Sequence, residues 1–162
     1  MSYLKKEFTH LSENDQPRMV DISEKSVTER RAVAVARVHL GAELMALLKN
    51  TGSTKKGPVL QTAVIGGIQG AKRTSDLIPM CHILPLSGVD VDIELEGEHA
   101  FIQATVKTTG RTGVEMEALT GATIAALTLY DMCKSVTKRI KIESVYLLEK
   151  TGGKSGNFKK KD

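Results

Sequence analysis

The sequence predicts an α+β domain with an antiparallel four-stranded sheet and helices packed on one face of it. Two segments of alternating apolar residues flank the turn residues 97–99, which is the pattern of a β-hairpin. A long segment after Gly113 carries apolar residues at steps of three and four, which predicts a helix. The elements follow in the order strand, helices, hairpin, helix, strand, which corresponds to the ferredoxin-like βαββαβ arrangement.

The first strand is predicted at residues 29–40, where the middle of the segment is apolar on both faces. A strand of this kind belongs in the interior of a sheet. Residues 41–49 are predicted to form a short helix, with Leu44, Leu47 and Leu48 on its inner side.

A loop at 50–58 and a second helix at 59–76 follow. The apolar stripe of this helix consists of Leu60, Val64, Ile65 and Ile68. Three glycines lower its helix propensity, and they are Gly66, Gly67 and Gly70. Their presence predicts that another stretch of backbone approaches the helix closely.

Residues 77–86 form an apolar connection, which Pro79 and Pro85 keep out of regular helix or interior strand. Between the prolines the chain places Cys81 next to His82. One interpretation is a buried histidine with satisfied hydrogen bonds beside a cysteine that fills space. The other is a pocket wall that offers a proton carrier or a hydrogen-bond donor.

The hairpin is predicted to consist of strands at 87–96 and 100–109, and the last strand lies at 139–148. Acidic residues occupy alternate positions of the first hairpin strand, so they indicate a solvated face rather than a metal site. The helix between the hairpin and the last strand has a predicted core-facing stripe of Leu119, Ala122, Thr123, Ala126, Tyr130 and Cys133, widened by Ile124 and Leu127.

Polar residues stand at both ends of this long helix. Asp131 and Lys134 are three residues apart, and that spacing alone favours a surface ion pair worth under about 1 kcal/mol. Glu117 and Asp131 point in nearly the same direction, but about 21 Å of helix separates them. If both act in one reaction, a second subunit must bring them together.

The composition indicates one domain over residues 1–162, with residues 1–18 as a flexible arm and 151–162 as a flexible tail. The sequence has neither a membrane-spanning run nor an apolar signal core, so we expect a cytoplasmic protein without a membrane partner. Cys81 and Cys133 fit no zinc pattern and are expected as free thiols. The net charge is only +4, and nucleic acid is not an expected partner.

Two nucleotide-binding patterns are excluded. Gly153, Lys154 and Ser155 look like the end of a phosphate-binding P-loop, but Leu148 stands where that motif needs a glycine. A glycine turn that presents Lys150 and Lys154 to an anion remains consistent with the sequence. A sheet that binds RNA needs stacking aromatic residues, and the predicted strands lack that signature.

Several stretches resemble the MoaC family, the cyclic pyranopterin monophosphate synthases of molybdenum cofactor biosynthesis. The most specific are DLIPMCHILPL and the pair TGVEMEALT and YDMCK. The matching stretches cover most of the chain beyond residue 18, and they lie at 19–23, 56–57, 67–87, 112–134 and 147–156.

The resemblance implies conversion of (8S)-3′,8-cyclo-7,8-dihydroguanosine 5′-triphosphate to cyclic pyranopterin monophosphate, with release of pyrophosphate. It implies no metal or redox cofactor, because the reaction has no net redox step. In this family a separate radical enzyme makes the substrate. The resemblance also implies a homohexamer, built as a trimer of dimers from ferredoxin-like subunits, with active sites between subunits.

The site residues of the family can be placed on this sequence position by position. The resemblance implies a catalytic group of Lys56, Asp131 and Lys134. It implies substrate contacts by Met80, Cys81, His82, Glu115, Met116, Glu117, Lys150, Lys154 and Arg30. We interpret the catalytic group as a proton-transfer centre in which clustered lysines lower one another's pKa. The basic substrate residues are expected to bind the triphosphate, and His82 and Glu117 the ring.

Two other function classes compete with this interpretation. A non-catalytic nucleotide-binding or RNA-binding module of the same fold explains the basic tail, but not the convergence of Lys56, His82, Glu117 and Asp131. An enzyme similar to GTP cyclohydrolase explains nucleotide chemistry and should depend on a metal, for which the sequence supplies no credible ligand cluster.

Overall fold

The computed structural model describes residues 16–161, so the first part of the predicted arm and Asp162 lie outside it. Its strands are β1 (Thr28–His39), β2 (Ser53–Thr54), β3 (Gly57–Pro58), β4 (Leu86–Glu96), β5 (His99–Gly110), β6 (Lys141–Thr151) and β7 (Phe158–Lys159). Its helices are α1 (Ala42–Thr51), α2 (Val59–Lys72), α3 (Thr74–Leu77) and α4 (Glu115–Cys133). In this part of the chain no helix has the length and apolar character that crossing a membrane requires.

The main sheet has the strand order β4-β5-β1-β6-β7, and all neighbouring strands are antiparallel. The α+β prediction is confirmed, and β1 is an interior strand as its two apolar faces predict. The prediction of four strands is wrong, because the chain turns back after β6 and pairs Phe158 and Lys159 with Lys150 and Glu149. The predicted flexibility of the tail stays a prediction.

One face of the sheet carries the core. Ile102, Ala104 and Val106 of β5 are fully buried there, as their alternation predicts. α4 packs on this face against β1, β5 and β6, and α2 lies beside α4 against β4. β4 ends the sheet on one side. Its other face is exposed and acidic at alternate positions, which are Asp90, Asp92, Glu94 and Glu96.

The buried side of α4 agrees with the predicted stripe only in part. Ala122, Ala126 and Cys133 of that stripe are fully buried as predicted. Ala118 and Leu129 outside it are also fully buried, whereas Leu127 is 50% exposed. On α2, Ile65 is 61% exposed, although the sequence predicts it on the inner side. The reason is that α2 and α4 lie close together, so only small side chains fit between them and larger apolar side chains project outward.

Glycines set the distance between α2 and α4. A Cβ atom placed on Gly67 would lie 3.0 Å from the Gly121 carbonyl oxygen and 3.1 Å from the Ala125 Cβ. A Cβ atom placed on Gly70 would lie 2.7 Å from the Ile124 Cβ. These separations leave no room for a side chain, so the predicted close approach of a second backbone is confirmed.

Gly67→Val is expected to destabilise the fold by about 1–3 kcal/mol, the usual cost of overpacking a core. The gain in helix propensity over glycine is only a few tenths of a kcal/mol and does not offset this cost. Chemical unfolding measures the difference in free energy. Gln69→Val, on the exposed side of α2, is the control and is expected to stay within about 0.5 kcal/mol of wild type. Equal losses in the two variants would contradict the packing argument.

The predicted loop at 50–58 is a tight hairpin in which β2 pairs with β3. Lys55 and Lys56 form the turn between the two strands. The Thr54 hydroxyl donates a hydrogen bond to the Met132 carbonyl oxygen at 3.0 Å. This contact fastens the hairpin to the C-terminal end of α4. The helix predicted next along the chain is divided into α2 and α3, because the backbone leaves helical dihedral angles at Arg73.

Candidate active site

Two cavities, of about 730 Å³ and about 490 Å³, open at the N-terminal end of α4. They share Lys25, Thr112, Gly113 and Glu115, so they are two lobes of a single cleft. The larger is called the cationic lobe, after Arg30, Arg31, Arg111, Lys150 and Lys154. The smaller is called the apolar lobe, after Val20, Ile22, Ile78, Met80, Leu84 and Met116.

The cationic lobe has an excess of positive charge, because six basic side chains line it against Glu24 and Glu115. It contains the predicted substrate residues Arg30, Lys150 and Lys154. The Lys150 ammonium pairs with the Glu115 carboxylate at 2.8 Å. The start of α4 adds to the positive potential, since its N-cap residue Val114 makes no side-chain cap hydrogen bond and the helix dipole is positive there. The lobe is suited to a polyanion.

A glycine turn after β6 shapes the wall of the cationic lobe. Gly152 and Gly153 have φ angles of +90° and +83°, which favour glycine. A side chain on Gly153 would overlap the Arg30 guanidinium. Arg30 uses this space to donate to the carbonyl oxygens of Gly110 and Arg111, both at 3.4 Å. The glycine turn therefore allows Arg30 to join β1 to the loop before α4.

The apolar lobe contains the other predicted substrate residues, which are Met80, Cys81, His82, Met116 and Glu117. His82 Nε2 donates to the Val20 carbonyl oxygen at 2.7 Å. Burial raises the pKa of the Cys81 thiol, so it is uncharged at neutral pH. Each interpretation of this segment holds in part, because His82 has a satisfied hydrogen bond and also forms the wall of a cavity.

Glu117 lines the apolar lobe and is only 4% exposed. Burial raises its pKa from 4.5 to about 7, and the Glu115 carboxylate adds to the rise. Within residues 16–161 no basic side chain forms an ion pair with Glu117. The nearby Lys150 pairs with Glu115 instead. Glu117 is therefore near the midpoint of its titration at neutral pH and is present both as an acid and as a carboxylate.

Glu117→Gln is expected to stabilise the protein at pH 8 by about 1–3 kcal/mol, but not at pH 4. The folded chain holds this proton up to about pH 7 and the unfolded chain releases it near pH 4.5. Wild type therefore loses stability between these values as pH rises, and the glutamine does not. Chemical unfolding at both pH values measures the difference. Glu43→Gln, at an exposed position of α1, is the control, and an equal gain there would contradict the assignment.

The three residues predicted as catalytic form a cluster at the other end of α4, called here the lysine–aspartate cluster. The carboxylate oxygens of Asp131 lie 2.7 Å from Lys56 Nζ and 2.7 Å from Lys134 Nζ. Lys56 Nζ also donates to the Asp131 carbonyl oxygen at 2.9 Å. The β2–β3 hairpin thus delivers Lys56 to a carboxylate that bridges two ammonium groups.

Asp131 sets the charges of the lysine–aspartate cluster. Hydrogen bonds from Lys134 and Lys56 lower the pKa of Asp131 to about 2. The Asp131 carboxylate in turn raises the pKa of Lys134. The expectation that clustered lysines lower one another's pKa is wrong for Lys134, because the carboxylate between them outweighs their repulsion. At neutral pH Lys134 is an ammonium group that can donate a proton.

The length of α4 separates the cleft from the lysine–aspartate cluster. Glu117 lies in the first turn and Asp131 in the last, so the rise between them is about 21 Å. Neither lobe is lined by a residue of the cluster. The fold therefore brings nine predicted substrate residues into one cleft, and it places the three predicted catalytic residues elsewhere on the same chain.

The cleft also contains basic residues that no motif of the sequence singles out. Lys25 lines both lobes, and Arg31 and Arg111 line the cationic lobe. Arg111 stands between Gly110 and Gly113 just before a helix, where anion-binding sites often form. This sequence pattern is therefore typical of an anion-binding residue. Among the described residues, no three His, Cys, Asp or Glu side chains are grouped so as to hold a metal ion.

The sequence model of the MoaC family matches residues 19–153. A relative named cyclic pyranopterin monophosphate synthase from Peptoclostridium acidaminophilum is 51% identical over 154 residues, which cover 95% of this chain and 98% of the relative. A relative of the same name from Helicobacter pylori (strain HPAG1) is 54% identical over 155 residues, covering 94% and 98%. The resemblance seen in the sequence is confirmed, and this chain belongs to the MoaC family.

Proposed function

We propose that this chain is a cyclic pyranopterin monophosphate synthase of molybdenum cofactor biosynthesis. Its substrate is (8S)-3′,8-cyclo-7,8-dihydroguanosine 5′-triphosphate, and its products are cyclic pyranopterin monophosphate and pyrophosphate. The observation that carries this proposal is the two-lobed cleft, in which a cationic lobe adjoins an apolar lobe that holds a buried acid. Relatives that are 51% and 54% identical bear the name of this enzyme.

The cationic lobe suits the triphosphate of this substrate. Its basic side chains and the N-terminus of α4 are in place before the substrate arrives, so little reorganisation is needed as charge develops on the leaving pyrophosphate. Arg30, Lys150 and Lys154 supply the cations. Glu115 holds the Lys150 ammonium at 2.8 Å and so fixes its direction.

The apolar lobe suits the guanine-derived ring. The ring presents neighbouring N–H donors, and a carboxylate such as Glu117 accepts two of them at once. The sulfur-containing side chains of Met80 and Met116 provide apolar, polarisable surface for its faces. His82 lies on the same wall and offers a further hydrogen bond once it exchanges its present acceptor.

The lysine–aspartate cluster suits the proton transfers of the ring rearrangement, each of which needs a positioned acid or base. Lys134 begins as an ammonium group held by Asp131 and acts first as an acid. After it has donated its proton it is an amine and acts as a base in a later step. Lys56 is the second ammonium group on the same carboxylate and acts beside it.

The cleft of one subunit and the lysine–aspartate cluster of a neighbour form the complete site, in a homohexamer that is a trimer of dimers. Two observations support this assembly. The two groups are about 21 Å apart on one helix, too far to meet on one substrate. The outer sides of α2 and α4 also expose Ile65 and Leu127 at 61% and 50%, which is apolar area available for contact between copies. A radical enzyme that cyclises GTP supplies the substrate.

The fold is of the ferredoxin-like type. The four long strands lie in the order β4-β5-β1-β6, with the hairpin strands β4 and β5 on one side of β1. α2 and α4 are the two helices of the βαββαβ unit, and they pack together on one sheet face. In this description α1, α3 and the short strands β2, β3 and β7 are additions to the common frame.

The test is turnover of purified cyclised GTP by this protein in the presence of a metal chelator. The expected result is formation of the pterin product together with pyrophosphate. Chromatography of the oxidised pterin and a coupled assay of pyrophosphate measure the two products separately. A folded protein that makes neither product would contradict the proposal, and turnover only after metal is added would favour a cyclohydrolase-like reaction instead.

A further inference from the structure

The segment 20–26 crosses the cleft without regular secondary structure, and we call it the strap. Val20 and Ile22 of the strap line the apolar lobe, and Ser26 lines the cationic lobe. Among residues 20–26, only Lys25 lines both lobes, and its side chain is positively charged. The position of the strap therefore decides what a ligand meets where the two lobes join.

Side chains from two other parts of the chain fasten the strap. His82 Nε2 donates to the Val20 carbonyl oxygen at 2.7 Å, and the Arg111 guanidinium donates to the Ser23 carbonyl oxygen. Between these points the Asp21 carboxylate accepts from the backbone N–H and the hydroxyl of Ser23, at 2.8 and 2.6 Å. The strap is thus a closed turn with one fastening on each side.

The Arg111 fastening is itself supported by the cationic lobe. The Arg111 carbonyl oxygen accepts a hydrogen bond from Arg30 Nη2 at 3.4 Å. Gly153 leaves the space that this Arg30 side chain occupies. A continuous path of contacts therefore runs from the glycine turn through Arg30 and Arg111 to the strap.

Lys25 is a cation of the cleft that has no partner among the described residues. In residues 16–161 its ammonium group makes no hydrogen bond or ion pair, whereas Lys150 in the same lobe is held by Glu115. In the substrate proposed above, the α-phosphate joins the ring and sugar to the two terminal phosphates. That phosphate belongs at the junction of the lobes, where Lys25 is exposed, and it is also the phosphate that the cyclic product retains.

We propose that Lys25 binds the α-phosphate and that Arg111 is a positioning residue, which fastens the strap so that Lys25 faces the junction of the two lobes. The identity of the phosphate rests on the proposed function. The fastening of the strap rests only on the contacts of Arg111 and His82. The two parts are therefore tested by measurements that do not require turnover.

The first measurement is the rate of trypsin cleavage after Lys25 in the full chain, followed by mass spectrometry. Arg111→Ala is expected to raise this rate by about tenfold or more, since local opening controls cleavage of a fastened segment. Arg111→Lys keeps one donor, so its cleavage rate is expected to lie between those of wild type and Arg111→Ala. Arg73→Ala, an exposed arginine outside the cleft, is the control. Wild-type cleavage in Arg111→Ala, or equal acceleration in Arg73→Ala, would overturn the fastening.

The second measurement is calorimetric binding of two probes, guanosine 5′-monophosphate and inorganic pyrophosphate. Lys25→Ala is expected to weaken binding of the monophosphate about tenfold or more, which is the loss expected for a charge-assisted phosphate contact. The same variant is expected to weaken binding of pyrophosphate by less than about threefold. Lys154→Ala is expected to weaken binding of pyrophosphate more than binding of the monophosphate. Arg111→Ala should behave as Lys25→Ala does, and the double variant should be no weaker than either single variant.

Additive losses in the double variant would overturn the positioning role of Arg111. Equal losses for both probes in Lys25→Ala, or wild-type binding of the monophosphate, would overturn the contact to the α-phosphate. If the protein binds both probes as expected but does not turn over the cyclised nucleotide, the proposed function fails while the strap and its cation stand. The two failures are thereby distinguished.

Discussion

Asp131→Asn is expected to lower turnover of the cyclised nucleotide by about 10²–10⁴-fold, the range for loss of positioned acid–base catalysis. The amide keeps the shape of the side chain but cannot attract two ammonium groups, which lose their partner at 2.7 Å. Lys134 is then no longer held as the proton donor. The measurement is kcat from pyrophosphate release, with circular dichroism and the free energy of unfolding recorded on the same samples.

The side chain of Asp131 is 54% exposed, so its replacement is expected to leave the fold intact. Lys56→Ala removes the second ammonium group and is expected to reduce turnover in the same way. Asp90→Asn, on the exposed face of β4, is the matched control and should turn over as wild type does. Turnover near the wild-type rate in Asp131→Asn or Lys56→Ala would remove the lysine–aspartate cluster from the mechanism.

Glu117→Gln and Asp131→Asn are each expected to be inactive, because the first removes the carboxylate proposed to bind the ring and the second the proposed proton-transfer centre. A mixture of the two variants is expected to regain activity when the subunits are separated and reassembled together. Each variant damages one half of the site, so a site with its cleft from one variant and its cluster from the other is intact. For random assembly of equal amounts, about a quarter of the sites are expected to be intact. The measurement is turnover of the mixture compared with each variant treated alone.

The control mixture is Asp131→Asn with Lys134→Ala. Both changes fall in the lysine–aspartate cluster, which a single chain forms, so no reassembled site is intact and no activity should return. Absence of recovery in the first mixture, from variants that do reassemble, would mean that each site is built from one subunit. The cleft and the cluster could then not act on the same substrate without a large movement of α4.

The sequence predicts the sheet better than the helix packing. Strand positions follow from alternation, because a strand that covers a core must bury every second residue, and β5 does so at Ile102, Ala104 and Val106. The exposure of Ile65 and Leu127 to solvent does not follow from their spacing along the helices. Which side of a helix is buried depends on the separation of its neighbours, and here glycines reduce that separation.

The sequence predicts many of the residues that line the candidate site, but not all of them and not their electrostatics. Family resemblance identifies Glu117, Asp131 and Lys134 by position. The pKa of Lys134 depends on the distance between its ammonium group and the Asp131 carboxylate, which the sequence does not contain. The place of Lys25 at the junction of two cavities does not follow from the sequence for a related reason, since it depends on a strap that contacts from remote residues hold in place.

The acidic residues of β4 also restrict how copies of this protein associate. A sheet edge with unpaired backbone groups attracts a second edge, and two copies could in principle join β4 to β4 into a continuous ribbon. In such a pairing Asp90, Asp92, Glu94 and Glu96 of the two copies would stand beside one another on one surface. Like charges opposite one another are unfavourable in a sheet. Growth of fibrous aggregates from this side of the sheet is thereby disfavoured.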